Sequence, residues 1–221
     1  MIQRFMNDRS PFKLNWTLFI WNLSLAIFSA IAFIRFSEDF LHSLIYKGSY
    51  ISFCYSVHPY GVSAFWAYVF FLSKIVELGD TLFIVLRKKP LIFLHYYHHV
   101  SVLIYSAHSG AEHTGSGKAF ISTNLLTHSI MYTYFAFTSC GMRPPKLISM
   151  AITSIQTIQM FAGIAVSLYV YRVKTQTDFP CQQSMQNLLI GTVLYVTYAA
   201  LFIHYFISTY FHKSSGKSKR Q

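Results

Sequence analysis

Long apolar stretches alternate with short polar connectors along the chain. Six stretches stand out, at residues 14–36, 65–86, 91–108, 119–139, 147–170 and 188–210. Each is close to the roughly 20 apolar residues that a helix needs to cross a bilayer. Glycines and prolines, which break helices, separate most of them. The pattern predicts an all-α, polytopic protein with a six-helix transmembrane domain at 14–210. An N-terminal segment, 1–13, and a basic tail, 211–221, flank this domain.

Composition supports a membrane protein. Of the 221 residues, 53% are hydrophobic and only 11% are charged, whereas a soluble domain carries about 25% charged residues. The net charge of +11 could suggest a nucleic-acid partner. Most of the 18 Lys and Arg residues, however, flank apolar stretches on the side that holds both termini. This asymmetry predicts cytosolic termini and no nucleic-acid partner.

The second apolar stretch carries charges that a spanning helix rarely tolerates. Lys74 and Glu77 are three positions apart, and Glu77 and Thr81 four apart, so neighbours on one helix face can pair. Asp80 lies between them in sequence. Unpaired charges at bilayer depth are costly, so the group should face inward. We favour a structural ion-pair network slightly over direct chemistry for this set.

The third stretch carries three histidines. His95, His98 and His99 lie at i, i+3 and i+4, which places the three imidazoles on one helix face. A lone buried histidine is usually a hydrogen-bonded structural residue. Three on one stripe inside an apolar run indicate a functional site instead.

The fourth and fifth stretches add polar groups at a similar depth. Asn124, His128 and Tyr132 share a face at i, i+4 and i+8. Thr153 is followed at helical spacing by Gln156 and Gln159, for which interhelical amide bonds are an equal alternative. Together these groups predict a polar chamber in the half of the membrane nearer the termini. Such a chamber suits an amphiphile with a charged head and a long hydrocarbon tail.

The cysteines and the tail carry two local predictions. Cys54 and Cys181 both fall in connectors on the side away from the termini. A disulfide between them and two free thiols are both open from spacing alone, and we predict the disulfide. Lys217 and Lys219 near the C-terminus resemble a dilysine signal for retrieval to the endoplasmic reticulum, with an ordinary basic flank as the alternative.

The polar groups, taken in order, resemble the motifs of the very-long-chain fatty acid elongase (ELO) family. The family patterns are Lys-x-x-Glu-x-x-Asp-Thr, His-x-x-His-His, Asn-x-x-x-His-x-x-Met-Tyr-x-Tyr-Tyr and Thr-x-x-Gln-x-x-Gln. The matching residues begin at Lys74, His95, Asn124 and Thr153. Phe135 stands where the third pattern usually has Tyr. The resemblance runs from about Ser10 to the tail, and is greatest to the branch acting on saturated and monounsaturated acyl chains.

The resemblance implies a fold and a reaction. Family members usually have seven spans, so this sequence resembles a form that is short at its N-terminus. Six helices are expected to form a barrel around a narrow acyl tunnel. The expected activity is condensation of a long-chain acyl-CoA with malonyl-CoA, giving 3-ketoacyl-CoA, CO2 and CoA, without a metal or cofactor. Expected partners are membrane lipid, the ketoacyl-CoA reductase, dehydratase and enoyl reductase of the cycle, and a second copy of the chain.

The residues also suggest roles in that reaction. No cysteine lies in the predicted chamber, so an acyl-enzyme would require an imidazole. His98 is the candidate nucleophile, and His128 comes next. Hydrogen-bond donors for the malonyl-derived enolate would be His95, His99, Asn124 or Tyr132. A basic rim would attract CoA phosphates, formed by Arg87, Lys88, Lys89, Arg143 and Lys146.

Tunnel geometry predicts a ruler for chain length. A tail that starts mid-membrane meets the far end of a hydrocarbon core of ~30 Å after roughly 12–18 carbons. Bulky candidates near that end are Ile104, Tyr105 and Phe120, with Ala107 as a small neighbour.

Two other functions remain to be weighed. A membrane di-iron desaturase or hydroxylase also uses a His-x-x-His-His box, but it needs many nitrogen or carboxylate ligands, usually from three boxes. This sequence has one such box. A lipid transporter with a proton relay is the non-enzymatic alternative, but no internal repeat supports it.

Overall fold

The computed structural model describes Met6 and residues 8–211, and this part of the chain is helical without β-strands. The elements are α1 (Asn15–His42), a π-helical turn (Ser43–Lys47), α2 (Gly48–Cys54), α3 (Val62–Glu77), α4 (Gly79–Leu86), α5 (Phe93–Glu112), α6 (Gly117–Ser139), α7 (Lys146–Gln176) and α8 (Met185–Tyr210). The dilysine-like pair, Lys217 and Lys219, lies outside the described residues.

Each predicted apolar stretch coincides with a helix, but three of them differ from the prediction. The fifth, α7, continues to Gln176 rather than ending at 170. The second is interrupted, since α3 ends at Glu77 and α4 begins at Gly79. A Cβ on Gly79 would lie 2.6 Å from the ring of Trp21, so glycine lets α1 approach the break. The first helix continues to His42 rather than ending at 36, because polar residues at a membrane surface end an apolar run without ending a helix.

The helices close into a ring. α1 packs against α3 and α6, α6 against α7, α7 against α8, α8 against α5, and α5 against α3. This closed order is the six-helix barrel that the sequence analysis expected. Apolar side chains fill the ring between helices, for example Phe36, Phe70 and Leu125 between α1, α3 and α6. The interior retains a cavity of about 720 Å³.

The outer surface is apolar, as a membrane requires. Trp16, Ile20, Ile27 and Ile31 on α1 are exposed. Three helical stretches of the described chain are long and apolar enough on their own to cross a bilayer: Asn15–Cys54, Lys146–Gln176 and Met185–Tyr210. The other helices of the ring are interrupted or carry the inward polar groups. The chain is a multi-pass membrane protein.

The two ends of the ring differ. At the terminal end, where α1 begins and α8 ends, Lys146 donates to the carbonyl of Tyr210. At the disulfide end, Cys54 and Cys181 are joined, with Cα atoms 4.4 Å apart. The amide of Gln182 donates to the Cys54 carbonyl at 2.8 Å. The amide of Gly115, between α5 and α6, donates to the Gln182 carbonyl at 2.7 Å, so three connectors are fastened together at the disulfide end. Cys140, a free thiol, is exposed.

Candidate functional site

A buried polar network joins α3 to α6. The Lys74 ammonium donates to Glu77 Oε1 at 2.7 Å and to Asn124 Oδ1 at 2.8 Å. Ser73 donates to the same carboxylate oxygen at 3.3 Å. His128 Nδ1 lies 3.5 Å from Glu77 Oε1, and its Nε2 lies 3.3 Å from Asn124 Nδ2. Lys74 and Glu77 are each only 3% exposed. The predicted inward, mutually satisfied ion pair is thus present.

Asp80 and Thr81 fasten α4 to its neighbours. The indole of Trp21 donates to one Asp80 oxygen and the Tyr132 hydroxyl to the other, both at 2.7 Å. Thr81 Oγ1 lies 3.1 Å from His95 Nε2, which joins α4 to α5. Asp80 therefore holds three helices together. The hydroxyl of Tyr132 and one nitrogen of His95 are already engaged.

The three histidines of α5 lie side by side, as their spacing predicts. The ring centroids of His95 and His99 are 4.4 Å apart, and those of His98 and His99 are 5.6 Å apart. The ring of His98 also packs 4.9 Å from Tyr198 and 6.3 Å from Phe202 on α8. Among the four candidate histidines, His98 alone lines the cavity that the described residues form.

The cavity runs from His98 toward the disulfide end. Asn124 and Gln159 line it beside His98, and Thr114 and Gln182 line its far end. Between these polar ends most of its walls are apolar or aromatic, including Phe70, Val102, Phe120, Ile121 and Leu194. None of the three cysteines lines this cavity within the described chain. The shape suits a hydrocarbon chain with its reacting end at His98.

Several predicted residues lie away from the cavity. Gln156 donates to the sulfur of Met131 at 3.1 Å, an interhelical contact between α7 and α6. Phe135 is 42% exposed, so a tyrosine hydroxyl there would not reach the chamber. Ile104 is 66% exposed and faces outward. The proposal that Ile104 lines the tunnel is therefore wrong, whereas Tyr105, Ala107 and Phe120 do line it.

The predicted basic rim lies at the terminal end, beyond the cavity. Arg87 follows α4, and its guanidinium is 3.5 Å from the Asn15 side-chain oxygen. Lys146 begins α7, and Lys89 and Arg143 are exposed in the connectors. Lys88 adjoins Arg87 and is exposed. These residues form a positively charged surface around the ring.

The next question is whether the histidines and carboxylates of the site could bind a metal ion. In the part of the chain that the structure describes, no group of three His, Cys, Asp or Glu side chains converges as a metal site requires. His95 and His128 have the contacts given above, which orient them within the protein.

Sequence reasoning missed two residues that shape the site. Trp21 holds Asp80 from α1, and no motif or charge in its neighbourhood indicates this. Tyr198 packs on His98, and its hydroxyl lies 2.7 Å from Ser101 Oγ. A signal for Tyr198 exists, since Asn187, Gly191 and Tyr198 recur at helical spacing on α8.

Comparison with known proteins gives a family match over almost the whole chain. Residues 1–218 match the family described as ELO: GNS1/SUR4. A putative fatty acid elongase 4 of Caenorhabditis elegans is 55% identical over 219 residues, covering 99% of this chain and 75% of that protein. Very long chain fatty acid elongase 6 of Drosophila melanogaster is 42% identical over 221 residues, covering 99% of this chain and 70% of that protein. Very long chain fatty acid elongase 3 of Homo sapiens is 39% identical over 221 residues, covering 99% of this chain and 81% of that protein.

Proposed function

The chain belongs to the ELO (GNS1/SUR4) family, and from that premise we propose how its site performs condensation. The protein is a fatty acid elongase, the condensing enzyme of fatty acid elongation. Its proposed substrates are a long-chain acyl-CoA and malonyl-CoA. The products are a 3-ketoacyl-CoA two carbons longer, CO2 and CoA. Family membership argues against both the di-iron oxygenase and the transporter.

His98 is the proposed nucleophile. One imidazole nitrogen attacks the thioester carbonyl of the acyl-CoA, and the carbon–sulfur bond breaks. The proton lost from the imidazole goes to the departing thiolate, which leaves as CoA. The acyl group remains on His98, and its tail lies in the cavity. The supporting observation is that His98 lines the cavity whereas His95, His99 and His128 do not. The absence of cysteine from its walls adds to this argument.

The second half-reaction forms the carbon–carbon bond. Malonyl-CoA loses CO2 as the bond to its carboxylate breaks, and an enolate is left. The enolate carbon attacks the acyl carbonyl, and the bond to the His98 nitrogen breaks. A proton from water restores the imidazole. Hydrogen-bond donors stabilise the enolate. The Tyr132 hydroxyl and one His95 nitrogen have partners in α4. His99 and Asn124 are the proposed donors, because the Asn124 amide lines the cavity and has a second N–H besides the one facing His128.

The test is a condensation assay with purified protein, radiolabelled malonyl-CoA and a panel of acyl-CoAs. We expect products two carbons longer from saturated and monounsaturated chains. His98→Ala should abolish them, and His204→Ala, which alters an exposed histidine on α8, should not. Near-normal turnover in His98→Ala would exclude His98 as the nucleophile. Failure of the unaltered protein with every chain would refute the proposed function.

The cellular setting follows from the same proposal. The protein resides in the endoplasmic reticulum membrane with both termini in the cytosol, and the basic rim attracts CoA phosphates from that side. It hands its product to the ketoacyl-CoA reductase, dehydratase and enoyl reductase of the cycle. It needs neither metal nor cofactor, so strong chelation should leave condensation intact.

A further inference from the structure

Lys118 is a buried cation at the far end of the cavity. It lies in the first turn of α6, is 4% exposed and lines the cavity wall. Its ammonium donates to the backbone carbonyl of Ile51 at 3.4 Å. None of the ion pairs among the described residues includes it. Asp39 attracts Lys118 and Lys47 repels it, both from beyond ion-pair distance.

This placement is unfavourable without a ligand. The N-terminal turn of a helix carries partial positive charge and stabilises anions, not cations. A buried ammonium also loses hydration that one long hydrogen bond does not replace. The methyl end of an ordinary acyl chain would contact the ammonium without offering a hydrogen bond. The surrounding wall is polar as well, with Ser56, Thr114 and Gln182 at the same end.

We propose that Lys118 binds the distal end of acyl chains that carry an oxygenated ω-carbon. A carboxylate is the preferred terminus because it supplies the missing anion, and a hydroxyl comes second. The tunnel would thus select for ω-carboxy or ω-hydroxy acyl-CoAs of one length. This inference rests on the proposed function, because the cavity is taken as the acyl tunnel with its reacting end at His98.

Cavity geometry sets the matching length. Along α5, the wall extends from His98 to Ala111, which is about 20 Å at 1.5 Å per residue. The Lys118 ammonium bonds the Ile51 carbonyl at the disulfide end, so it lies roughly 20 Å from the reacting carbon. An extended chain advances about 1.25 Å per carbon, which corresponds to roughly 16 carbons.

The experiment compares paired acyl-CoAs of 8–18 carbons that differ only in a methyl or a carboxylate at the ω-carbon. We expect the unaltered protein to elongate the ω-carboxy chain preferentially within a narrow range of lengths. Lys118→Met should reduce elongation of that chain at least about tenfold and raise elongation of its methyl partner. Lys118→Arg should keep the carboxylate preference. Arg172→Met, which removes an exposed cation of α7 near the same end, should change neither.

A binding measurement tests the role of Lys118 independently of the condensation reaction. Alkyl-CoA thioethers, which cannot be cleaved as thioesters, are titrated with a methyl or a carboxylate ω-end. The unaltered protein should bind the carboxylate form more tightly at the matching length, and the Lys118→Met variant should not. Such a preference without turnover would contradict condensation but support the role of Lys118. Equal binding of both termini, or equal loss of both in Lys118→Met, would overturn the inference.

Discussion

The buried pair of Lys74 and Glu77 gives a prediction whose size follows from its contacts. Lys74→Met removes the ammonium that donates to the Glu77 carboxylate, which keeps Ser73 at 3.3 Å and His128 at 3.5 Å. Removing one partner of a buried pair costs about 3–5 kcal/mol. Because those two contacts remain, we expect a loss of about 3 kcal/mol. Glu77→Gln should cost a similar amount, since Lys74 keeps Asn124.

The double variant distinguishes a structural role of the Lys74–Glu77 pair from a catalytic one. Lys74→Met with Glu77→Gln removes both charges, so its loss should be about 3 kcal/mol rather than the additive value of about 6. The coupling free energy is then about 3 kcal/mol, at the top of the range for contacting residues and roughly 150-fold in the folding equilibrium. If the pair is structural, condensation in each variant should follow the folded fraction. If the pair acts chemically, the folded double variant should be inactive.

The assay is reversible unfolding in mixed micelles, followed by tryptophan fluorescence. It is carried out on the unaltered protein, the two single variants and the double variant. The exposed pair of Arg35 and Glu38, 3.8 Å apart, gives a matched control cycle with an expected coupling of about 0–0.5 kcal/mol. Additive losses of unfolding free energy in the double variant, or losses below about 1 kcal/mol in the single variants, would show that Lys74 and Glu77 do not form a coupled buried pair.

Three further predictions concern the far end of the ring and the tunnel. Gly115→Ala should destabilise the protein by about 1–3 kcal/mol, because the added Cβ would overlap the Cys54 carbonyl. In the control, Gly110→Ala, the added Cβ meets no atom within 4 Å, and the unfolding midpoint should not fall. Cys54→Ser should lower the unfolding free energy by about 2–4 kcal/mol, and non-reducing peptide mapping should show the Cys54–Cys181 peptide only in the unaltered chain. Phe120→Ala should lengthen the products and Ala107→Trp should shorten them, as read by mass spectrometry, with the outward-facing Ile104→Ala as the control. An unchanged product distribution in both would show that these two side chains do not limit the length of the acyl tunnel.

Hydropathy predicted the six helices because each apolar stretch is a local property of about 20 residues. The break before Gly79 was not predictable in this way, since hydropathy stays high across it and the packing of Trp21 against Gly79 joins residues distant in sequence. The continuation of α1 to His42 was also missed. The polar residues after position 36 end the apolar run, but the backbone hydrogen bonds of the helix continue through them.

The site was predicted in composition more than in arrangement. Polar residues are rare inside apolar stretches, so the sequence alone identifies them as candidates. Lys74, Glu77, Asn124 and His128 are in contact in the structure. Which histidine faces the cavity depends on how α5 rotates against α8. That rotation turns Ile104 outward, and it brings His98 against Tyr198, which no spacing on α5 indicates.

The proposed mechanism requires an acyl group carried by His98, and this intermediate can be trapped. Purified protein is incubated with a long-chain acyl-CoA without malonyl-CoA, quenched and digested, and the peptides are sequenced by mass spectrometry. We expect an acyl adduct on His98 that disappears when malonyl-CoA is added, and no adduct in His98→Ala. An adduct on Cys140, or one on His128 that persists in His98→Ala, would contradict the proposed mechanism.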